Sequence, residues 1–481
     1  MENKISNLNL QKTKIVCTIG PSSESIETIK DLLNAGMNVA RINLSHGKND
    51  DHKKIISNLR EASNSLNKSL PILADLPGPK YRVGIIPNNF LDIKENNIIS
   101  FECNENINSQ DIKIWPSGLH KDIQIGAILL VDDGAVELEV TEIKNSKIIT
   151  KVNLPGKISS NKAVVARGFP SMLDYFTEET QNALDFVIAN DIDYIGLSYV
   201  RNSEDIKRVK SKIGSKDLKI ISKIELQTAL DNLEDIIDCS DSIMVARGDL
   251  GVHLPISQVP AAQKFIINSS NKKGKEVITA TQMLESMTDN PQPTRAESTD
   301  VHNAVLDGSD AIMLSGETSI GNYPVRAVEF MREISKIAEN DINHNNLRNK
   351  RLKHVDSSSS NIIDELIAHG AANIAEQLDA KLIIAFTESG STAARVAAYR
   401  PSQIVIALSP DKKASINLGL RWGVNAIKTD GFDQIEKMFS FAENLVKKEN
   451  LASEGDTIVV VAGLPIGFKG NTNLIRVINI N

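Results

Sequence analysis

The sequence is poor in the residues that mark special classes of protein. Among 481 residues it has three cysteines, two tryptophans and 4% aromatic residues in all. Cys17, Cys103 and Cys239 are too few to staple a chain of this length, which excludes a disulfide framework and fits a reducing compartment. They also lack the spacing of a zinc or iron–sulfur site. No apolar run approaches the roughly 20 residues of a membrane-spanning helix. The opening MENKISNLNLQ has no apolar stretch of the kind a secretory signal carries. Neither sign of charge dominates: 54 Lys and Arg stand against 61 Asp and Glu, and the net −7 argues against non-specific nucleic-acid binding. There is no Walker A pattern and no kinase Gly-rich loop, so neither common nucleotide-binding scaffold applies. These absences leave a cytoplasmic protein with no nucleic-acid or membrane partner. The 41% hydrophobic and 24% charged residues are those of an ordinary globular chain, long enough for roughly two to four domains.

What is present is alternation. KIVCTIG (14–20) predicts a strand and SIETIKDLLNAG a helix, capped by Ser25 and ended by Gly36. NVARINLSH (38–46) and PILADLPGPK (71–80) predict two more strands around a helix near 50–66. Residues 79–171 change period. Short β-rich pieces such as NNIISFE and KIITKVNL, separated by turns, predict an inserted all-β domain. Alternation resumes with strand candidates at 192–200, 218–225, 241–251, 275–283 and 310–317, each followed by a helical pattern. Eight β–α units predict a (β/α)₈ TIM barrel, in parts 1–78 and 172–345, with a small β-barrel lid spliced in after the third strand. The polar, Ser-rich stretch 346–360 reads as a linker, and 361–481 as a C-terminal α/β domain with buried, non-alternating strands.

Barrel chemistry sits at the C-terminal strand ends. Polar and charged residues recur there on six strands: Arg41, Asn43, Ser45 and His46; Asp75, Lys80 and Arg82; Lys223 and Glu225; Arg247 and Asp249; Thr279, Thr281 and Gln282; Ser315 and Glu317. Glu225 and Asp249 could hold one hard divalent cation such as Mg²⁺, which takes few carboxylates and keeps positions for substrate oxygens. Arg41, Arg82 and Lys223 could neutralise phosphate and carboxylate oxygens. Together these are parts for phosphoryl transfer, which needs positioning and charge stabilisation. Taken singly, each has a bland reading. Lys223 and Glu225 could be a structural ion pair, Arg247-Gly248-Asp249 a turn, and His46 a structural histidine. Recurrence on six strands at one end is what weighs against it.

At these residues the sequence closely resembles the pyruvate kinase family along nearly its whole length. The matching stretches include TKIVCTIGPSS, GMNVARINLSHG, LADLPGPKYRVG, IISKIE, IMVARGDLGV, ATQMLESM with PTRAE, and DVHNAVLDGSDAIMLSGET. The resemblance implies phosphoryl transfer from phosphoenolpyruvate to ADP, giving pyruvate and ATP, in a homotetramer that depends on Mg²⁺ or Mn²⁺. It implies Lys223 as the lysine that stabilises the transferring phosphoryl group and Arg41 as the arginine facing the phosphate. Glu225 and Asp249 match the metal ligands; Gly248, Asp249 and Thr281 match the segments holding the substrate carboxylate. Thr281, with Ser315 and water, lies where the enolate is protonated. Asn43, Ser45, His46, Arg82 and Lys162 match nucleotide-side positions. The run Leu76-Pro77-Gly78-Pro79-Lys80 resembles the branch that works without K⁺. There Lys80 would supply the charge K⁺ provides beside Asn43, Ser45, Asp75 and Leu76. Arg41, Lys80, Arg82 and Lys223, with the metal, would then make the mouth locally positive.

The lid run Lys162-Ala163-Val164-Val165-Ala166-Arg167 stands where the family carries Lys-Gly-Val-Asn-Leu-Pro, and Leu226 and His253 stand where a polar residue and glutamate are usual. In the C-terminal domain, Thr387-Glu388-Ser389-Gly390-Ser391-Thr392 and the late GLPIGFKGNTN segment resemble the family's effector loops. A hydroxyl-rich turn before a helix suits a phosphate. It equally suits a tight strand-to-helix turn with capping hydroxyls, and Glu388 would repel phosphate.

Overall fold

The computed structural model describes residues 10–104, 111–169, 171–355, 358, 360–467 and 471–481. The first nine residues, Asp356, Ser357 and Ser359 of the linker reading, and Phe468–Gly470 of the late segment lie outside the described residues. Eight strands, Lys14–Thr18, Val39–Asn43, Ile72–Leu76, Tyr194–Leu197, Lys219–Ile224, Ser242–Ala246, Glu276–Ala280 and Ala311–Leu314, close in chain order into a barrel. Every neighbouring pair is parallel. The first helix, Ile26–Ala35, begins where the sequence predicts: Ser25 accepts from the Thr28 N–H, and Gly36, at φ 137°, returns its N–H to Leu32. It buries Ile29, Leu32 and Leu33 on the outside of the barrel.

Between the third and fourth barrel strands the chain leaves for a second closed barrel of seven short strands, from Tyr81–Val83 to Ala163–Ala166. It has its own core, including Phe101, Leu129, Leu138 and Ile148. The C-terminal domain is a five-stranded sheet in the order Val424–Lys428, Ile404–Ser409, Leu382–Phe386, Thr457–Ala462, Leu474–Asn479, with only the last strand antiparallel. A separate apolar cluster covers each face, the mark of a doubly wound sheet. Among the described residues no helix is long and apolar enough to cross a membrane.

The C-terminal domain closes the bottom of the barrel. Leu420 joins Val16, Val39, Leu73, Tyr194 and Met244 in the barrel's interior. The Tyr194 hydroxyl donates to the Ile416 carbonyl at 2.6 Å. Arg421 lies 2.6 Å from Glu276, and Arg400 lies 3.0 Å from Asp310.

Two stretches differ locally from their sequence patterns. The stretch read as linker carries a helix, His344–Leu352. Its packing residue is a charge: buried Arg348 bonds Ala372, Asn345 and Glu376, so a polar sequence hides a docked helix. Barrel strands six, seven and eight are shorter than their apolar runs. After Ala246, Ala280 and Leu314 the backbone turns into a short helix, a positive-φ pair and another short helix.

Candidate active site

The upper mouth of the barrel holds a connected set of buried charges. Asp75 ends the third strand and is 1% exposed. Its Oδ2 accepts from Arg41 Nε at 2.9 Å and Nη2 at 2.7 Å, while Arg41 Nη1 donates to Thr18 Oγ1 at 2.8 Å. Asp75 Oδ1 accepts from Ser198 Oγ at 3.2 Å and lies 3.2 Å from Lys223 Nζ. Lys223 also donates to Ser198 Oγ at 2.8 Å and stands 2.9 Å from Glu225 Oε1. That last contact is an ion pair without hydrogen-bond alignment: Oε1 of the fully buried Glu225 has no hydrogen-bond partner among the described residues. The other oxygen, Oε2, accepts from the Tyr199 N–H at 2.7 Å.

Asp249 sits one turn into the short helix Arg247–His253. Both of its hydrogen bonds fall on Oδ1, from Lys80 Nζ at 2.7 Å and the Tyr199 hydroxyl at 2.9 Å. Tyr199 therefore grips both candidate metal carboxylates, one through its backbone and one through its phenol. Its φ of 59° is a left-handed conformation unusual for a large side chain. Its ring packs against Gly78 so closely that a Cβ there would meet Tyr199 Cδ2 at 2.9 Å.

Thr281 and Gln282 are also left-handed, at φ 67° and 53°. Strain of this kind costs about 1–3 kcal/mol per residue and persists only where the surroundings enforce it. Arg247 is the enforcer. It donates to the carbonyls of Ala280, Thr281 and Gln282, with the shortest contact 2.6 Å, and is anchored by Asp300 at 2.8 and 2.7 Å. The result presents Thr281 Oγ1 to the Gly248 N–H at 2.8 Å. Glu317, fully buried, ties the ends of strands seven and eight by accepting from the N–H groups of Leu284 and Ser315. The Ser315 hydroxyl is buried with no partner among the described residues.

The electrostatics follow from this wiring. Burial alone would lower Lys223, but Asp75, Glu225 and Asp249 outweigh it and hold the ammonium charged. Burial alone would raise Asp75 and Asp249; Lys223 with Arg41 lowers Asp75, and Lys80 with Lys223 holds Asp249 well below the usual carboxylate range. Glu225 is the exception, since its burial exceeds the help from Lys223 and pushes it up. Burial pushes His253 down to about 4.

Other sequence-predicted residues are placed as follows. Asn43 Oδ1 accepts from the Ser45 N–H at 3.2 Å. His46 is exposed, and partial burial together with the nearby cations Arg82 and Arg41 lowers its pKa. Arg82 donates to the Asn161 carbonyl, and Lys162 pairs with Asp132 at 2.8 Å. Thr279 is structural, fully buried against Ser309. Lys80 stands against Asp249. It is bonded to Asp249 and lies 4.4 Å over the Tyr199 ring, and no bond joins it to Asn43, Ser45 or Asp75. The reason is occupancy: Arg41, Ser198 and Lys223 already fill both oxygens of Asp75. The mouth is also less positive than its cations suggest, because Arg41, Lys80 and Lys223 are each paired with a carboxylate.

The donor set fits one open divalent site. Among the described residues no group of three or more His, Cys, Asp or Glu could enclose a metal. Glu225 and Asp249 instead offer two carboxylates sharing one holder, with Oε1 of Glu225 meeting only Lys223, as suits a metal completed by substrate oxygens.

A family model described as the pyruvate kinase barrel domain matches residues 10–328, and one for the pyruvate kinase alpha/beta domain matches residues 365–478. The chain belongs to the pyruvate kinase family. It is 41% identical over 474 residues to a pyruvate kinase of Bacillus licheniformis, covering 97% of this chain and 80% of that one. It is 39% identical over 473 residues to a pyruvate kinase of Clostridium perfringens, covering 97% and 99%. The crystal structure of a pyruvate kinase from Cryptosporidium parvum matches at TM-score 0.91 and 35% identity, over 98% and 97% of the two chains. Membership in the pyruvate kinase family accords with the fold and with the mouth of charges.

Sequence reasoning missed Tyr199, Ser198, Thr18, Asp300 and the role of Arg247. Ser198 and Tyr199 directly follow the fourth strand and Thr18 ends the first, the two strands whose polar ends went unread. Asp300 lies mid-helix, and nothing local marks it.

In the C-terminal sheet, the turn after Leu382–Phe386 and the segment after Thr457–Ala462 flank the point where strand order reverses. Thr387 Oγ1 accepts from the Gly390 N–H at 3.0 Å, Ser389 contacts Ser391, and Thr392 meets Thr472 at 3.0 Å. A crevice lined by Thr387, Ser391, Thr392, Thr429 and Asn471 opens there.

Proposed function

We propose that this chain transfers the phosphoryl group of phosphoenolpyruvate to ADP, giving pyruvate and ATP. The observation that carries the reading is the buried Glu225 Oε1, which meets only the Lys223 ammonium, 2.9 Å away and kept charged by its neighbours. Glu225 and Asp249 would hold Mg²⁺ or Mn²⁺, which would supply charge neutralisation at the phosphate and carboxylate oxygens. Arg41 and Lys223 are fixed in advance by Asp75, so they meet the phosphoryl oxygens without reorganising, and electrostatic stabilisation of transfer depends on that. The Gly248–Asp249 segment and Thr281 bind the substrate carboxylate. As an ADP oxygen attacks phosphorus, the P–O bond to the enolate breaks, and the enolate carbon takes a proton on the Thr281 side, with Ser315 and water. Asn43, Ser45, His46, Arg82 and Lys162 form the nucleotide side.

The reading includes independence from K⁺, with Lys80 as the fixed ammonium in the mouth. Its attachment to Asp249 means that metal binding there must loosen it, freeing the charge for the substrates. We also read the chain as a cytoplasmic homotetramer divided at residues 78, 171, 345 and 360. The crevice at Thr387–Thr392 is read as an effector site for a phosphorylated metabolite.

The experiment is ATP formation from phosphoenolpyruvate and ADP in K⁺-free buffer, with Mg²⁺ added and then chelated. Turnover should require the divalent ion and change little when K⁺ is added. Absence of ATP under all conditions refutes the activity; a large rise with K⁺ refutes only the role given to Lys80.

A further inference from the structure

An open cleft lies between the lid and the barrel, lined in part by Lys80 and Tyr199. None of the five nucleotide-side residues lines it. The lid contributes Val165 and Phe169, and the barrel contributes Tyr199, Leu226 and His253. Val165, Ala166, Leu226 and His253, four of the departures noted in the sequence, line the cleft together, while Ala163 and Arg167 do not. Val165 also packs on Val252 and Leu130, an apolar contact that holds the lid against the barrel beside the cavity.

The lining limits what can bind. Its charged groups are already engaged. Lys80 is on Asp249, Arg201 is held by both oxygens of Asp205, and Asp122 accepts from the Tyr81 hydroxyl and the Met172 N–H. A charged ligand would find no free counter-charge. Of the lining side chains, only His253 has a buried polar atom, Nε2, without a partner among the described residues. Its ring stands edge-on to Tyr199, with centroids 5.7 Å apart. An apolar slot with two aromatic rings and one unsatisfied nitrogen suits a flat molecule with a single hydrogen-bonding edge.

We propose that this cavity is a second binding site, for a small, neutral, planar aromatic molecule whose polar edge pairs with His253 Nε2. Such an occupant touches lid and barrel together and rests on Tyr199, which grips Glu225 and Asp249. Its binding therefore changes the apparent KM for phosphoenolpyruvate more than kcat. The binding itself does not depend on the reaction assigned above; the kinetic effect does.

The test uses 7-azaindole, a neutral bicycle with a donor and an acceptor on one edge, and the full-length chain. Saturation-transfer NMR should show saturable binding that persists at saturating ADP and phosphoenolpyruvate. Val165→Trp, which fills the slot, should abolish it. His253→Phe, which keeps an aromatic ring but removes the nitrogen, should weaken it about fivefold, the worth of one neutral hydrogen bond. In the ATP-forming assay the compound should shift KM for phosphoenolpyruvate about twofold or more in the parent and not in Val165→Trp. Displacement by ADP, equal binding to both variants, or no saturable binding overturns the site. Binding with these properties but no KM shift in an active enzyme overturns the coupling alone. If no ATP forms at all, the NMR arm still decides the site.

Discussion

The two ends of the barrel bury comparable charges and leave them in different states. At the closed end, Arg421 pairs with Glu276 and Arg400 with Asp310. Three of the four carboxylate oxygens there have a further holder: Glu276 Oε2 has Ser242, Asp310 Oδ1 the Trp422 N–H and Oδ2 the Val277 N–H. Two orphan atoms at that end, Arg421 Nε and Trp422 Nε1, are donors and cannot attract a cation. At the open end the orphan is an acceptor, Glu225 Oε1, held beside strained backbone at Tyr199 and Thr281. Burial of charge is common to both. What distinguishes the open end is an incomplete set of partners for its anions, and that marks it as the site of chemistry.

The sharpest way to break this contrast is to remove one cation from each end. Lys223→Met should cut turnover by about a thousandfold or more while leaving phosphoenolpyruvate binding, measured by fluorescence titration, largely intact. Arg421→Met should do the reverse. It leaves Glu276 uncompensated and should cost about 3–5 kcal/mol of stability in chemical denaturation, with kcat of the folded enzyme unchanged. If the two variants behave alike, the distinction fails.

A smaller effect sharpens the account of the lid–barrel seam. Folded His253 stays neutral down to about 4, whereas the unfolded residue takes its proton near 6.5. Between those values the unfolded state binds more protons, so stability is lost as pH falls through that window. The loss amounts to about 2 kcal/mol between pH 7.5 and 5. His253→Phe should flatten that part of the stability curve, and denaturation at the two pH values measures it. Smallest is Tyr199→Phe, which removes one hydrogen bond from Asp249 and should weaken metal binding about fivefold while sparing the fold.

The fold and much of the mouth are legible in the sequence because their signals are local. Apolar runs followed by helical periods mark the barrel strands, and Ser25 and Gly36 mark a helix's ends. Lys223 and Glu225 share a strand end, so period two alone brings them together. What the sequence hides is set by distance along the chain. Arg247 reaches Asp300, 53 residues away, and Lys80 reaches Asp249, 169 residues away. The charge of Lys80 is readable in the sequence, but its partner is not, because competition for Asp75 is decided only after three strands have met. The helix at His344–Leu352 is hidden for another reason: its burial is carried by an arginine, which composition assigns to solvent.

The central claim is that Glu225 and Asp249 hold the divalent ion at the open end. Mn²⁺ binding, followed by electron paramagnetic resonance in the presence of phosphoenolpyruvate, tests it without reference to turnover. Binding should weaken by about a hundredfold or more in Glu225→Gln and in Asp249→Asn, and stay unchanged in Arg421→Met. Parent-like Mn²⁺ affinity in either carboxylate variant would contradict the account.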